Sequence, residues 1–581
     1  MSAAAGVENP HLGGRLKIVV IGGVAGGANF ATRARRLSED AEIVLIERGP
    51  YVSFANCGMP YHIGGEIPSR NDLLLQTPES LAQAFGLDVR IRHDAIRIDR
   101  HNKEVWIRNL ATGETTAEPY DHLVLATGAS PVRPALPGID LPGIFALRDM
   151  VDMDRINQWL VRTCASSAVI AGGGFVGLEL AEQLQRRGIA TTIIDSDDHL
   201  LTPFDVEMAA PIATELEEHG VRVVLNDAVS GFAHDPGGRI RVTTRQGRRH
   251  IGDIAILCIG VRPLSDLASD AGLETGLRRA VVVNEFLQTS DPNIWAVGDC
   301  VQLRHRVSGR DVYIPLAGPA NRGGRLIADN ILGRRRPFRG PIGTAIIRIF
   351  GLTAACTGLH ERALQELKIP YQVVHLHPSS HAKYFPGSQP LAIKLLFDPL
   401  RGTILGAQAV GKVGVDKRID VIATAIAGGL TVEELGDLDL CYAPPFGSAK
   451  DAVNMAGLAA SNIRDGLVEA ILWHQLPAYA GEATILDVRR QAEWDAGAIP
   501  DAMHIPLPEL RARIGEIPRN RPVIVYCHSG QRSYVACRIL LQHGYQSRNL
   551  SGSYATWSAG RASQIALSQT PAARLCESVL V

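Results

Sequence analysis

Two cysteines stand in sequence surroundings that suit sulfur chemistry. Cys57 lies in the run VSFANCGMPY, residues 52–61, and has no second cysteine five positions away on either side. Cys527 follows the apolar stretch VIVY and opens a loop of the form Cys-x-x-Gly-x-Arg-Ser, whose arginine is Arg532. A cysteine reacts as its thiolate, and its surroundings decide how readily that thiolate forms. Cys57 and Cys527 are therefore the two candidate nucleophiles.

A glycine turn near the start of the chain indicates a first nucleotide site. Gly22 and Gly27 hold the outer places of the pattern G-x-G-x-x-G, although Val24 stands at the middle place. An apolar strand precedes this turn and an amphipathic helix follows it, so a helix N-terminus would face a pyrophosphate. Glu47 ends the next strand and is placed to accept hydrogen bonds from a ribose.

A second glycine turn repeats this arrangement. Gly172, Gly174 and Gly177 fit G-x-G-x-x-G without exception, and the next strand ends at Asp195. A carboxylate there accepts from a ribose 2′-hydroxyl and repels a 2′-phosphate, which favours NADH over NADPH. Two such strand–turn–helix units in one chain predict two dinucleotide sites.

Length and composition limit the class of protein. A chain of 581 residues is expected to form about three to five domains. The formal net charge of -1 offers no field that would attract nucleic acid or an anionic membrane. Nine cysteines without a CxxC pair indicate neither a metal site nor a secreted disulfide framework. The first fifteen residues lack the apolar stretch of a signal peptide, and no apolar run of about 18 residues occurs, so we expect a cytoplasmic protein.

Two further segments carry a family resemblance. LVLATGASP (123–131) and TSDPNIWAVGDC (289–300) resemble the flavin-domain signatures of the flavoprotein disulfide reductases, over roughly residues 15–465. The resemblance implies bound FAD, with Thr127 and Gly128 near the flavin and Asp299 hydrogen-bonded to the ribityl chain. SFANCGMPY is most similar to the single-cysteine branch of coenzyme A disulfide reductases, which has NADH oxidases and persulfide reductases as close relatives.

This resemblance also implies a substrate site and a partner. It places contacts to coenzyme A at Asn29, Arg33, Arg36, Ser53, Asn56 and Lys450. The alternative for the two arginines is that they are solvated charges on a helix surface. The family forms homodimers and places two tyrosines of the partner subunit near the active sulfur, matched here by Tyr384 and Tyr442. Their phenols could donate a proton to a leaving thiolate or stabilise it. The alternative for Tyr384 is exposed aromatic packing at the dimer surface.

With one cysteine in the motif, the second sulfur must come from the substrate. The expected intermediate at Cys57 is then a mixed disulfide or a persulfide, formed during FAD- and NADH-dependent reduction of coenzyme A disulfide, coenzyme A persulfide or polysulfide. One alternative is an NADH oxidase or peroxidase that cycles Cys57 through sulfenic acid. Another is a redox-sensing sulfur carrier whose flavin turnover is incidental.

The C-terminal segment resembles rhodaneses, which transfer sulfane sulfur. CHSGQRS matches the active loop, and ILDVR (485–489) and AEWDAGAIPDAMHIP match upstream motifs, with Ala498 where a histidine is usual. The loop also suits dual-specificity phosphatases, but the upstream DVR favours a rhodanese. Loop amides, the helix N-terminus and Arg532 are expected to lower the pKa of Cys527 and hold a persulfide anion. An inactive regulatory domain is the alternative.

The predicted fold class is α/β, with two Rossmann-like domains, an α+β dimerisation domain and an α/β rhodanese domain. The expected domains are FAD-binding (15–135 and 260–335), NADH-binding (136–259), dimerisation (336–465), a linker (466–478) and rhodanese (479–581).

Overall fold

A computed structural model describes residues 15–568. Residues 1–14, to which the signal-peptide prediction applies, lie outside the described residues. Residues 569–581, the end of the predicted rhodanese range, also lie outside them. No helix in the described part of the chain is both long and apolar enough to cross a membrane.

The first nucleotide unit is built on a parallel sheet whose centre is the strand KIVVI. Its elements before the second unit are β1 (Lys17–Ile21), α1 (Ala25–Leu37), β2 (Glu42–Glu47), α2 (Met59–Gly64), α3 (Pro78–Phe85), β3 (Asp88–Ile91), β4 (His93–Asp99), β5 (Glu104–Asn109), β6 (Thr115–Pro119), β7 (His122–Leu125) and β8 (Ala129–Pro131). Strands β3, β2, β1 and β7 pair in parallel in that order, and β4–β6 form an antiparallel sheet. Because β1 is covered on both faces, its residues read as one apolar run.

The second nucleotide unit repeats this design. Its elements are β9 (Ile144–Ala146), α4 (Met150–Arg162), β10 (Ser167–Ala171), α5 (Phe175–Arg186), β11 (Ala190–Ile194), α6 (Val206–Glu218), β12 (Arg222–Val224), β13 (Val229–His234), β14 (Ile240–Thr244), β15 (Arg249–Gly252) and β16 (Ile254–Leu257). The parallel strand order is β12-β11-β10-β16-β9, and β13–β15 form an antiparallel sheet. Each central strand runs directly into its glycine turn and helix, so the carboxyl edge of each sheet is a ligand edge.

The chain then returns to the first unit. The returning elements are β17 (Val261–Pro263), α7 (Asp266–Asp270), β18 (Ile294–Ala296), β19 (Leu303–Arg304), β20 (Asp311–Val312) and α8 (Ala317–Ile331). Strand β18 pairs in parallel with β7 and completes the five-stranded sheet. Strand β17 pairs antiparallel with β8, so the two segments that join the first unit to the second lie side by side. Helix α8 packs along α1.

A third unit is built on an antiparallel sheet. Its elements are β21 (Ala345–Ile349), β22 (Leu352–Gly358), α9 (Glu361–Glu366), β23 (Gln372–Leu376), β24 (Leu391–Phe397), β25 (Ile404–Gly411), α10 (Val415–Gly428), α11 (Val432–Gly436) and α12 (Ala452–Arg464). The strand order is β21-β22-β25-β24-β23. One apolar cluster joins β21 and β22 to the helices of the second unit, and it includes the helix that follows Cys57.

The C-terminal unit has a parallel sheet between helices. Its elements are β26 (Glu469–Ile471), β27 (Thr484–Asp487), α13 (Gln491–Asp495), β28 (Met503–His504), α14 (Leu510–Arg513), β29 (Val523–Tyr526), α15 (Gln531–Gln542), β30 (Ser547–Leu550) and α16 (Ser553–Ser568). The strand order is β26-β30-β29-β27-β28, with an apolar cluster on each face. The predicted fold class, two doubly wound units followed by an α+β and an α/β unit, is confirmed.

Candidate active sites

The first glycine turn has the close backbone packing that only glycine permits. Gly22 has φ +102°, and a Cβ there would lie 2.2 Å from the carbonyl oxygen of Ala126. A Cβ on Gly27 would lie 1.8 Å from the Gly22 carbonyl oxygen. Beside the turn, the Glu47 carboxylate accepts hydrogen bonds from the amides of Gly23 (2.8 Å) and Gly49 (2.7 Å). The turn, the start of α1 and this carboxylate are arranged as an adenine dinucleotide requires.

The predicted flavin contacts lie at the other strand ends of this sheet. Gly128 has φ +70°, and the Thr127 hydroxyl donates to the Leu264 carbonyl at 2.5 Å. The Asp299 carboxyl has no hydrogen-bond partner among the described residues, and burial raises its pKa to about 6. A partly buried carboxyl without a partner fits an acceptor for a ribityl hydroxyl, so the residues present are compatible with FAD.

Sequence reasoning missed a group of arginines beside this site. A cavity of about 510 Å³ is lined in part by Arg133, Arg148, Arg155 and Arg262. Burial, followed by the nearby Arg48, lowers the pKa of Arg148, while Glu47 acts in the opposite direction. The cavity therefore lies near Glu47, the carboxylate expected to bind a ribose, and its arginines can bind a phosphate. No motif marks these residues, because Arg133 and Arg148 come from two loops, Arg155 from α4 and Arg262 from β17.

The second turn repeats the geometry of the first. Gly172 has φ +109°, and a Cβ on Gly177 would lie 2.0 Å from the carbonyl oxygen of Gly172. A Cβ on Gly174 would meet no atom within 4 Å, so the turn is open on the ligand side. Asp195 accepts from the amides of Gly173 (2.5 Å) and Asp197 (2.9 Å), and burial raises the pKa of Asp195 despite these bonds. The carboxylate stands where a ribose is expected.

Cys57 lies in the cleft between the two nucleotide units. It occupies a short 3₁₀ helix, Asn56–Gly58, that leads into α2, and α2 packs on α5 of the second unit. Ser53 has φ +44°, and its amide donates to the Gly23 carbonyl at 2.8 Å, which ties the cysteine segment to the first turn. The thiol is accessible, but loss of water in the cleft, Glu179 and then Asp299 raise its pKa. The negative charge of carboxyls from both units thus disfavours the thiolate of Cys57.

A tyrosine–glutamate pair beside Cys57 was not among the predicted site residues. The Tyr61 hydroxyl donates to Glu179 Oε1 at 3.2 Å, and burial raises the pKa of Glu179 to about 7. The Arg348 guanidinium lies 5.4 Å from the centre of the Tyr61 ring. A carboxyl with this pKa can bind and release a proton near neutral pH. Glu179 lies on α5, two residues after Gly177 of the glycine motif, a position that could have drawn attention to it.

The predicted coenzyme A contacts differ in how free their side chains are. Arg33 donates from Nε and Nη2 to Asp329 Oδ1 at 2.9 and 2.7 Å, so its charge is largely matched within the protein. Arg36 is exposed, and its Nε donates to the Thr32 carbonyl of the same helix at 3.0 Å. Lys450 is exposed as well. The Asn29 amide donates to Asn321 on α8 at 3.2 Å.

Tyr384 and Tyr442 are brought together by the third unit. Their hydroxyl oxygens lie 3.1 Å apart, and the residues are 76% and 49% exposed. Phe385 and Phe446 are also exposed, at 38% and 70%. Four exposed aromatic residues in two neighbouring segments form an apolar surface that suits contact with a second subunit.

The Cys527 loop surrounds its sulfur with hydrogen-bond donors. The Gly530 amide lies 3.1 Å from Cys527 Sγ, and the Ser533 hydroxyl lies 3.5 Å from it. Burial on its own raises the pKa of this thiol, but hydrogen bonds from the Ser533 hydroxyl and from loop amides outweigh it and lower the pKa. Arg532 stands beside the loop and is bound by Glu493 through two contacts of 2.6 Å. The arrangement stabilises an anionic sulfur.

Comparisons with known proteins match three parts of the chain to known families. Residues 16–323, more than half of the chain, match the family described as pyridine nucleotide-disulphide oxidoreductase. Residues 344–453 match the dimerisation domain of that family, and residues 473–560 match a rhodanese-like domain.

Named relatives cover most of the chain. A coenzyme A disulfide reductase of Staphylococcus haemolyticus (strain JCSC1435) is 35% identical over 448 residues, which is 77% of this chain and 100% of that protein. The structure of reduced Bacillus anthracis CoADR-RHD has a TM-score of 0.93 and 44% identity, covering 94% of this chain and 99% of that one. A NAD-dependent persulfide reductase from A. fulgidus has a TM-score of 0.88 and 36% identity, covering 93% and 100%. This chain belongs to the pyridine nucleotide-disulphide oxidoreductase family and is a flavin-dependent oxidoreductase with a C-terminal rhodanese domain.

Proposed function

We propose that this enzyme reduces coenzyme A disulfide, coenzyme A persulfide and polysulfide with electrons from NADH, and that Cys57 is its single redox-active thiol. The observation that carries the proposal is the place of that thiol directly before α2, which packs on α5 of the second nucleotide unit and is joined to it by the hydrogen bond from Tyr61 to Glu179. FAD, when bound, accepts a hydride from NADH and passes two electrons to sulfur. The cytoplasm is the proposed location, because it supplies both NADH and coenzyme A.

The proposed sulfur chemistry needs one protein thiol. The Cys57 thiolate attacks one sulfur of R–S–S–R, a Cys57–S–S–R bond forms and the first R–S⁻ leaves. Two electrons and a proton then cleave this bond and release the second thiol as Cys57 is regenerated. In sum, NADH, one proton and R–S–S–R yield NAD⁺ and two R–SH. Glu179 can hold a proton close to this exchange, since its pKa is about 7.

Coenzyme A is the proposed thiol because the surface around α1 offers it cations and polar groups. Arg36 has an exposed side chain that is proposed to bind a phosphate, and Asn29, Ser53 and Asn56 are proposed to contact the rest of the coenzyme A molecule. The pairing of Arg33 with Asp329 makes Arg33 a supporting residue of this surface rather than its main cation. Lys450 is proposed to add a further charge.

A homodimer is proposed on the exposed aromatic surface of the third unit. Tyr384 and Tyr442 then reach the sulfur of the opposite subunit, where a phenol donates a proton to the departing thiolate. Their mutual contact of 3.1 Å keeps the two hydroxyls at one point of this surface.

The rhodanese domain is proposed to load sulfane sulfur on Cys527 and to deliver persulfide for reduction at Cys57. Hydrogen bonds that lower the Cys527 pKa also stabilise Cys527–S–S⁻, which is the expected carrier. Arg532 is proposed to add positive charge beside that anion.

One comparison of electron acceptors tests the proposed function. NADH oxidation is measured with coenzyme A disulfide, coenzyme A persulfide, polysulfide and oxygen, in the wild type and in Cys57→Ser as the matched control. The proposal predicts rapid turnover with the sulfur substrates that is lost in the variant. Efficient turnover with oxygen alone would support the oxidase instead, and turnover independent of any added acceptor or of Cys57 would contradict both.

A further inference from the structure

A turn between β30 and α16, formed by Ser551, Gly552 and Ser553, supports the Cys527 loop from behind. The Cys527 amide donates to Ser553 Oγ at 3.1 Å. Ser553 Oγ also lies 3.1 Å from the Ser533 hydroxyl, which itself contacts the Cys527 sulfur. Ser553 therefore holds both the backbone of the nucleophile and the hydroxyl that faces its sulfur.

This turn is held in an unfavourable backbone conformation. Gly552 has φ +67° and Ser553 has φ +54°, so a residue with a Cβ occupies the left-handed region. Such a conformation persists only where neighbouring groups impose it. One of them is the carbonyl of Ile471, which accepts from the Ser551 amide at 2.9 Å.

The other groups that impose it come from the third unit, outside the rhodanese domain. The backbone amide of His375 donates to Ser551 Oγ at 3.0 Å, and His375 Nδ1 lies 3.0 Å from the same oxygen. A Cβ on Gly552 would lie 2.7 Å from the His375 Cβ, so the two backbones are in close contact. Two residues further on, His377 Nε2 lies 2.8 Å from Thr556 Oγ1, in the first turn of α16.

His375 is in turn fixed by a buried charge cluster. Its Nε2 lies 2.9 Å from Glu207 Oε1, and the Trp473 indole donates to Glu207 Oε2 at 3.1 Å. The buried ammonium of Lys394 contacts Glu207 and Glu361 at 2.5 Å and Asp205 at 2.8 Å.

The hydrogen-bond pattern assigns one tautomer to His375. Because Glu207 is a carboxylate beside Lys394, Nε2 donates to it. In the neutral ring Nδ1 then accepts the Ser551 hydroxyl proton. The contact to Ser551 is therefore directional and made by a group that is itself held in place.

We propose that His375 and His377 are positioning residues for sulfur transfer at Cys527, so that the reductase part of the chain completes the rhodanese active site. The inference rests on the proposed sulfurtransferase function of Cys527. In that reaction Cys527–S⁻ takes the sulfane sulfur of thiosulfate, sulfite leaves, and Cys527–S–S⁻ passes the sulfur to cyanide as thiocyanate. Loss of the histidine contacts lets the Ser551–Ser553 turn relax and withdraws Ser553 from Cys527.

The test uses the full-length protein with Ser551→Ala and His377→Ala, and His377→Gln as the conservative variant. Ser558→Ala is the matched control, since that hydroxyl donates to the Ala555 carbonyl within the same helix. Two readouts are taken as a function of pH, namely thiosulfate:cyanide sulfurtransferase turnover and the rate of alkylation of Cys527 in a Cys57→Ser background. NADH-dependent reduction of coenzyme A disulfide, measured with Cys57 present, reports that the body of the enzyme is folded.

Ser551→Ala and His377→Ala are expected to lower kcat at neutral pH by about tenfold and to shift both pH profiles to higher pH, as a pKa rise of about one unit would do. His377→Gln is expected to recover part of the loss, and the control and the reductase activity to stay within about twofold of wild type. Unchanged alkylation profiles in both alanine variants would overturn the proposal. A wild type without sulfurtransferase activity would refute the proposed reaction at Cys527, while the alkylation profiles would still decide whether the histidines position it.

Discussion

Replacing Asp195 with asparagine should change the choice between the two nicotinamide cofactors. At an effective dielectric constant of about 20, two unit charges about 4 Å apart repel by about 4 kcal/mol. A 2′-phosphate carries a charge of about −1.5 to −2 at neutral pH, so the full repulsion from Asp195 would be larger still. Asp195 is only half-buried, so solvent screens part of this repulsion. We take the remaining free energy by which Asp195 disfavours NADPH as at least about 1.4 kcal/mol, which corresponds to a tenfold preference for NADH.

The wild type should therefore prefer NADH by at least tenfold in kcat/KM, and Asp195→Asn should reduce that preference by about tenfold. The amide keeps an oxygen for the Gly173 amide, so the turn itself is retained. Asp198→Asn is a suitable control, because that carboxylate contacts His199 at 2.5 Å.

The assay is steady-state oxidation of NADH and NADPH with a saturating disulfide. Burial raises the pKa of Asp195, so acidification that protonates it should also narrow the preference of the wild type. Equal efficiency with NADPH in the wild type, or an unchanged ratio in Asp195→Asn, would refute the role given to this carboxylate.

Three further predictions concern the other sites. Lys394→Met should lower the melting temperature by several degrees in calorimetry. The reason is that removing one partner of a buried charge cluster lowers the free energy of unfolding by about 3–5 kcal/mol. An unchanged melting temperature would contradict this. Ser533→Ala should raise the pKa of Cys527 by about one unit in alkylation assays, because a hydrogen bond to a charged group contributes about 1.5 kcal/mol or more; a constant pKa would show that the amides suffice. Arg36→Ala should raise the KM for coenzyme A disulfide by about tenfold, whereas Arg33→Ala should mainly lower thermal stability. The reverse pattern would indicate that Arg33, and not Arg36, is the arginine that binds coenzyme A.

The features that sequence reasoning predicted are those written in short segments. Both glycine turns, the carboxylate at the end of each following strand and the Cys-x-x-Gly-x-Arg-Ser loop depend on residues about 25 positions apart or fewer, where strand, turn and helix follow one another. The fold class followed from the same units, because each turn requires a parallel sheet behind it.

The features that were missed depend on distant segments. Glu179 meets Tyr61 across 118 positions, and Arg33 meets Asp329 across 296. A charged residue read alone looks solvated, and only the packing of α8 on α1 shows that Arg33 is paired. His375 likewise acquires a role only when the C-terminal unit packs against its strand.

In the proposed mechanism electrons leave the enzyme through Cys57, and the kinetics of the flavin in a Cys57 variant test this route. Rapid mixing of Cys57→Ser with NADH follows flavin absorbance, and the same sample is then given coenzyme A disulfide or coenzyme A persulfide. NADH should still reduce the flavin at nearly the wild-type rate, while reoxidation by either substrate should fall at least about a thousandfold, as expected when the covalent route through Cys57 is removed. Reoxidation of the variant by these substrates at the wild-type rate would show that electrons leave by a route other than Cys57.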